Sequence, residues 1–172
     1  DVAVPVIIGL NDSNYEKSLN HKLSSDITDK IQYFMTENQK ETVKSNLKAD
    51  YTTPYRSKEM LSIVFLADIE NQQQKRQVQQ TINIDFQTQK MIKLGDLFRK
   101  KDYKQKLAKE LRISLKELPE QTEEQFYFDK DRGLIVFWEN EYGVTQEYAI
   151  PFVEMKKMLK DNYQYLLVQN QP

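Results

Sequence analysis

The sequence predicts an α+β domain: an antiparallel sheet with one long helix and two shorter helices packed on it. Three observations carry that expectation. Residues 78 to 86 alternate, with Ile82, Ile84 and Phe86 on one side and Thr81, Asn83 and Asp85 on the other. That is the pattern of a strand with one face on a core and one face in water. Tyr15, Leu19, Leu23, Ile27, Ile31 and Phe34 recur every three or four positions, which predicts an amphipathic helix over residues 14–40. The run KEMLSIVFLADI at 58–69 is apolar on both alternating sets at its centre, as in a central strand covered on both sides.

The remaining elements follow in chain order. Val2, Val4 and Val6-Ile7-Ile8 predict a first strand, with Pro5 placing it at an edge or bulge. Ser13 and Glu16 have the spacing of a capping box for the long helix. Leu47 to Thr53 predicts a second strand, interrupted at Pro54. Glu70 to Gln77, ENQQQKRQ, is a polar hairpin connection. After the alternating strand, Gln87 to Lys90 forms a polar turn, and Met91, Ile92 and Leu94 return to the core. A second helix starts at Asp102 and runs through Leu107, Leu111, Leu115 and Leu118 to Pro119. Residues 126–128 and 134–138 form a hairpin about a turn holding Gly133. Residues 139–143 turn again, and Gln146 to Ile150 return as a strand. Pro151 suits the first position of a short helix carrying Phe152, Met155 and Leu159. Tyr163 to Val168 predict a last extended segment.

A chain of 172 residues is expected to form a single domain, 1–172, with enough core to need neither disulfide nor metal. With 25 Lys and Arg against 26 Asp and Glu, the net charge of −1 gives no support to a nucleic-acid partner. No apolar run approaches the ~18 residues that span a bilayer. The absence of cysteine excludes disulfides, thiolate metal sites and cysteine nucleophiles. The chain begins at Asp1 rather than Met, so it reads as a piece of a longer protein.

Side chains with chemical potential are sparse. His21 is the only histidine and lies off the apolar stripe of the long helix, where solvation explains it as well as a role as base. One histidine and no cysteine leave no zinc site of the usual kind. Glu139 and Glu141 stand beside Trp138 and Tyr142, as in a sugar-holding pair or in a solvated turn. Asp129 and Asp131 are spaced like the start of a calcium loop, but its bidentate Glu is missing. Lys100, Lys101, Lys104 and Lys106 make a small basic cluster that suits a phosphate, an anionic wall polymer or simply water. The four glycines, at 9, 95, 133 and 143, assemble no phosphate loop.

Two phrases carry a family resemblance. Asn83, Asp85, Thr88, Ile92, Leu94, Asp96, Leu97 and Phe98 make the first, N.D..T...I.L.DLF. Phe137, Glu139, Glu141, Tyr142, Gly143, Tyr148, Ile150, Pro151 and Phe152 make the second, F.E.EYG…EYAIPF. Over most of residues 4 to 160 the chain resembles the extracytoplasmic domain shared by RsiV-type anti-sigma factors and PdaC-type peptidoglycan deacetylases. Family members often carry a Gly-Gly-Ala-His-like stretch between the two central strands, where this chain has ENQQQKRQ.

The resemblance implies a non-catalytic module, without cofactor or metal, on the surface of a Gram-positive-type cell. It would be anchored to the membrane by a segment outside this chain. The implied role is accessory to a peptidoglycan deacetylase; the alternative is the ligand-sensing ectodomain of an anti-sigma factor that binds lysozyme. The expected partner is cell-wall glycan or a wall-lytic protein such as lysozyme. The expected contact is Trp138, Glu139, Glu141 and Tyr142, because Trp and Tyr lead among hot-spot residues and acidic neighbours steer a cationic partner. A free-standing glycosidase would rest on Glu139 and Glu141 alone.

Overall fold

The computed structural model describes residues 3–38, 46–70, 75–99, 102–140 and 143–168. Its architecture is α+β, with two antiparallel sheets. Strands β1 (Asn46–Arg56), β2 (Met60–Glu70), β3 (Lys75–Asp85) and β4 (Lys90–Met91) form one sheet in that order. Strands β5 (Phe126–Asp129), β6 (Gly133–Glu139) and β7 (Thr145–Ile150) form the other. The helices are α1 (Ser13–Asn38), α2 (Tyr103–Glu110), α3 (Phe152–Met155) and α4 (Tyr165–Val168). The chain gathers into two compact units, residues 1–51 with 65–79, and residues 52–64 with 80–172.

In the first unit, α1 starts one residue earlier than the capping-box spacing implies. Asp12 is the cap: its Oδ1 accepts from the backbone N–H of Asn14 at 2.9 Å and Tyr15 at 3.0 Å. Glu16 instead accepts from Leu10 N–H at 2.8 Å. Leu19, Leu23 and Ile27 are buried as the periodicity requires, and Tyr15 and Ile31 are half-buried. The Phe34 side chain and the connection at 71–74 lie outside the described residues. The other buried apolar side chains of this unit are Ala49, Phe65, Ala67 and Val78.

Val2 lies outside the described residues, and over residues 3–8 the expected first strand does not form. Ala3 N–H reaches the Ala49 carbonyl at 3.1 Å. Ile7, however, exchanges both of its backbone bonds with the Asn20 side-chain amide, at 2.8 and 2.7 Å. An amide from α1 takes the place of a partner strand, and Pro5 has no N–H to offer one.

In the second unit, β1 continues through Pro54 to Arg56 rather than breaking there. β1 is an edge strand, so the missing N–H costs no ladder bond. The Asp85 carboxylate closes the turn after β3 by accepting from Gln87 N–H at 2.8 Å and Thr88 N–H at 3.1 Å. Helix α2 stops at Glu110, well short of Pro119. Ile113 N–H bonds the Ala108 carbonyl at 3.0 Å and Arg112 N–H bonds Lys109 at 3.1 Å, with Arg112 at φ +57°. That is a Schellman stop with arginine in the left-handed position, and it leaves Leu115 47% exposed.

The β5–β6 hairpin turns on Asp129, whose carboxylate accepts from Asp131 and Arg132 N–H. Gly133 follows at φ +97°, and a Cβ there would lie 2.3 Å from the Ile150 carbonyl. Only glycine lets the end of β7 approach so closely. Phe126, Phe128, Leu134, Val136 and Ile150 turn one face of this sheet toward Leu94, Leu97, Leu107, Met155 and Leu159. Pro151 sits at the N-cap of α3, one position ahead of the place its ring geometry suggested. The predicted extended segment 163–168 is helical: a 3-10 turn at Asp161–Tyr163 leads into α4. The three-residue spacing of Tyr163 and Leu166 puts both in the core.

Candidate functional site

The polar face of β3 is not in water, contrary to its alternation. Thr81, Asn83 and Asp85 are 6%, 3% and 1% exposed. Asn83 Oδ1 accepts the Ser62 hydroxyl at 2.6 Å, and its Nδ2 donates to the Phe126 carbonyl at 2.7 Å. Ser62 Oγ in turn accepts from Phe128 N–H at 3.0 Å. Thr81 donates to the Glu124 carbonyl at 2.9 Å, and Tyr163 donates its phenol to Asp85 Oδ2 at 3.1 Å. Asp96 accepts from Lys93 N–H at 2.8 Å. Every side-chain polar atom of Asn83 and Asp85 is thus engaged within the fold. The phrase N.D..T...I.L.DLF is a set of structural pins.

The second phrase reaches the surface. Leu134, Val136 and Trp138 share one face of β6; Ile135, Phe137 and Glu139 share the other. Trp138 is half-buried against the core cluster. It stacks on Tyr148, with ring centroids 4.4 Å apart and planes 13° from parallel. Cross-strand register explains the pair: Trp138 faces Gln146 and Val136 faces Tyr148, so Trp138 and Tyr148 are diagonal neighbours. Tyr148 donates its hydroxyl to Gln146 Oε1 at 3.1 Å. Glu139 is half-buried on the opposite face and faces Thr145. Of the four expected contact residues, Trp138 and Glu139 therefore lie on opposite faces, and Glu141 and Tyr142 lie outside the described residues. Tyr148 and Gln146 were missed as members of this surface. Their membership depends on strand register, which needs the hairpin length between β6 and β7.

A second polar group crosses the same sheet. Tyr127 donates its phenol to Glu147 Oε1 at 2.7 Å, and Arg132 pairs with Glu147 Oε2 at 2.9 Å. Burial, and then the bond to Glu147, hold the Tyr127 phenol well above its ordinary value. The hydrogen bond to Glu147 likewise raises Arg132. A phenol held protonated against a carboxylate acts as a tie between strands. His21 is exposed. Among the described residues, no group of three or more His, Asp or Glu side chains could hold a metal ion. Among the same residues, no helix is long and apolar enough to cross a membrane.

This arrangement of sheets and helices has a solved counterpart. A member of the DUF3298 family from Bacteroides fragilis superposes with a TM-score of 0.55 at 15% identity, over 92% of this chain and 74% of its own. A DUF3298 family protein from Pseudomonas aeruginosa aligns at a TM-score of 0.49 and 13% identity, over 70% of this chain and 63% of its own. At such identities the first likeness is one of fold. No protein-family model matches the sequence. No curated protein matches it either.

Proposed function

We propose that this chain is a non-catalytic extracytoplasmic module of a cell-wall protein, accessory to peptidoglycan deacetylation, and that it works by binding. The observation that carries the reading is the Trp138–Tyr148 stack near the turn end of the β6–β7 hairpin. Two rings fixed against each other and against a core offer a rigid apolar surface with little rotamer entropy left to lose. Such a surface suits the faces of sugar rings. The buried polar groups of β3 support the same reading, because they are consumed by the fold and supply no acid or base.

A second reading is favoured by Glu139, half-buried on the other face of the same hairpin next to the turn. A carboxylate there suits a cationic protein, and the module would then be the lysozyme-sensing ectodomain of an anti-sigma factor.

Co-sedimentation with purified peptidoglycan, run beside titration with lysozyme, tests both. The wild type is expected to sediment with the glycan, and Trp138→Ala to lose most of the binding at a temperature where it is still folded, its melting temperature being lowered by the lost packing. Lysozyme binding without glycan binding, weakened by salt and by Glu139→Lys, selects the sensor. Release of acetate or sugar from peptidoglycan by this chain, or binding to neither partner, overturns both readings.

A further inference from the structure

We infer that the cleft between α2 and the loop after α3 is the centre of a cationic surface that binds a flexible phosphodiester polymer. The cleft measures about 110 Å³. Its floor is apolar, built from Met158 and the stacked rings of Phe98 and Tyr103, 5.0 Å apart. Its rim carries Arg99, Lys106 and Lys157, with Asp102 as its one acidic side chain.

Two chain segments meet at this cleft, joined by the Phe98–Leu159 bridge and by Lys160 N–H to the Leu97 carbonyl at 2.8 Å. Both are basic. In α2, Lys106 and Lys109 follow Asp102 on one helix face at spacings of four and three. The other segment adds Lys156, Lys157 and Lys160. Arg99 is paired with Asp161 at 2.5 Å, and Lys106 with Asp102 at 3.6 Å. Lys109, Lys156, Lys157 and Lys160 have no carboxylate partner among the described residues. This concentration stands out on a chain whose net charge is −1.

The arrangement selects the ligand class. The ammonium groups are spread along two segments rather than converging on one point. A single small anion reaches few of them, and exposed charge pairs are individually weak. A chain of repeated phosphates reaches several at once and releases bound counterions at each. A flexible, single-stranded nucleic acid would draw much of its affinity from bases stacked on exposed aromatic faces. Here Phe98 is 3% and Tyr103 8% exposed, so the rings form the floor and offer no stacking face. A phosphodiester polymer without bases remains. The inference rests on the wall-protein reading only for where such a polymer is met. Glycan binding through Trp138 and polymer binding through Lys157 are measured separately, so either can fail alone.

The test is fluorescence anisotropy with a labelled glycerol-phosphate oligomer, a dT oligomer of equal charge, and inorganic phosphate as competitor. Wild type is expected to bind the glycerol-phosphate oligomer at 50 mM salt. Affinity should fall roughly 20- to 100-fold by 200 mM, as for three to five phosphate contacts. Lys106→Gln/Lys157→Gln should weaken binding at least about tenfold at 50 mM and flatten the salt slope by about one unit or more. Lys109→Gln/Lys156→Gln should weaken it in the same direction, and both variants should keep their melting temperatures. Inorganic phosphate should compete only at far higher concentration. Lack of binding at 50 mM, an equal loss in Lys17→Gln/Lys22→Gln on α1, or a dT oligomer binding tenfold tighter would each overturn the inference.

Discussion

Asn83 donates its side-chain amide to the Phe126 carbonyl at 2.7 Å across 43 positions of sequence, with both residues buried. The same amide accepts the Ser62 hydroxyl on its other side. Asn83→Ala therefore strands a carbonyl and a hydroxyl inside the larger unit. The expected loss is about 2–4 kcal/mol by urea titration, since each stranded group costs on the order of 1–3 kcal/mol. A loss below about half a kcal/mol would mean that water replaces the amide.

Gly133→Ala tests the close approach of β7. The added Cβ would meet the Ile150 carbonyl at 2.3 Å, on a backbone at φ +97°. A loss of about 3 kcal/mol or more is expected. Gly143 has φ +71° with open space around it, so Gly143→Ala should cost only about 1 kcal/mol. Equal losses at the two positions would show that backbone conformation alone decides.

Leu23→Ala tests the buried face of α1. Leu23 is fully buried, at 0% exposure. The expected cost is about 2–5 kcal/mol in the smaller unit. His21→Ala on the exposed side of the same helix should stay within about half a kcal/mol.

Alkaline pH should destabilise the protein. Burial, ahead of the neighbouring carboxylates, raises the phenols of Tyr127, Tyr163 and Tyr165 above the ordinary value of 10.0. A raised acid keeps its proton longer when folded. Its contribution is fully present below the unfolded pKa and is lost as the pH rises beyond it. Stability measured by denaturant titration should be level between pH 8 and 9 and fall above about 10. Tyr127→Phe should make that fall shallower. A level profile to pH 11.5 would contradict the burial of these hydroxyls.

The parts of this fold legible in the sequence are those set by local rules. The β5–β6–β7 meander follows from alternation and from Gly133, and α1 follows from its spacing of three and four. The misread parts depend on distant partners. Alternation correctly separates Asn83 and Asp85 from Ile82 and Ile84, but it does not reveal what covers the polar side. Here Ser62, Phe126 and Tyr163 cover it. The leucine spacing of α2 continues past Glu110, yet Arg112 at φ +57° ends the helix, and side-chain spacing carries no record of φ. At the candidate site, Trp138 is legible as a large aromatic near a turn. Its partner Tyr148 is not, because a change of one residue in the β6–β7 register would put a different side chain beside it.

The bond from Tyr163 to Asp85 has a consequence for how the protein is made. It joins positions 78 residues apart, and Tyr163 brings Leu166 with it into the core. A ribosome delivers Asp85 long before Tyr163. Until then β3 presents a buried-type carboxylate and an incomplete apolar wall to solvent. Contacts of such separation slow folding and prolong the time spent in partly assembled states. Closure of the larger unit therefore waits for the segment around Tyr163 and is a late step of its folding.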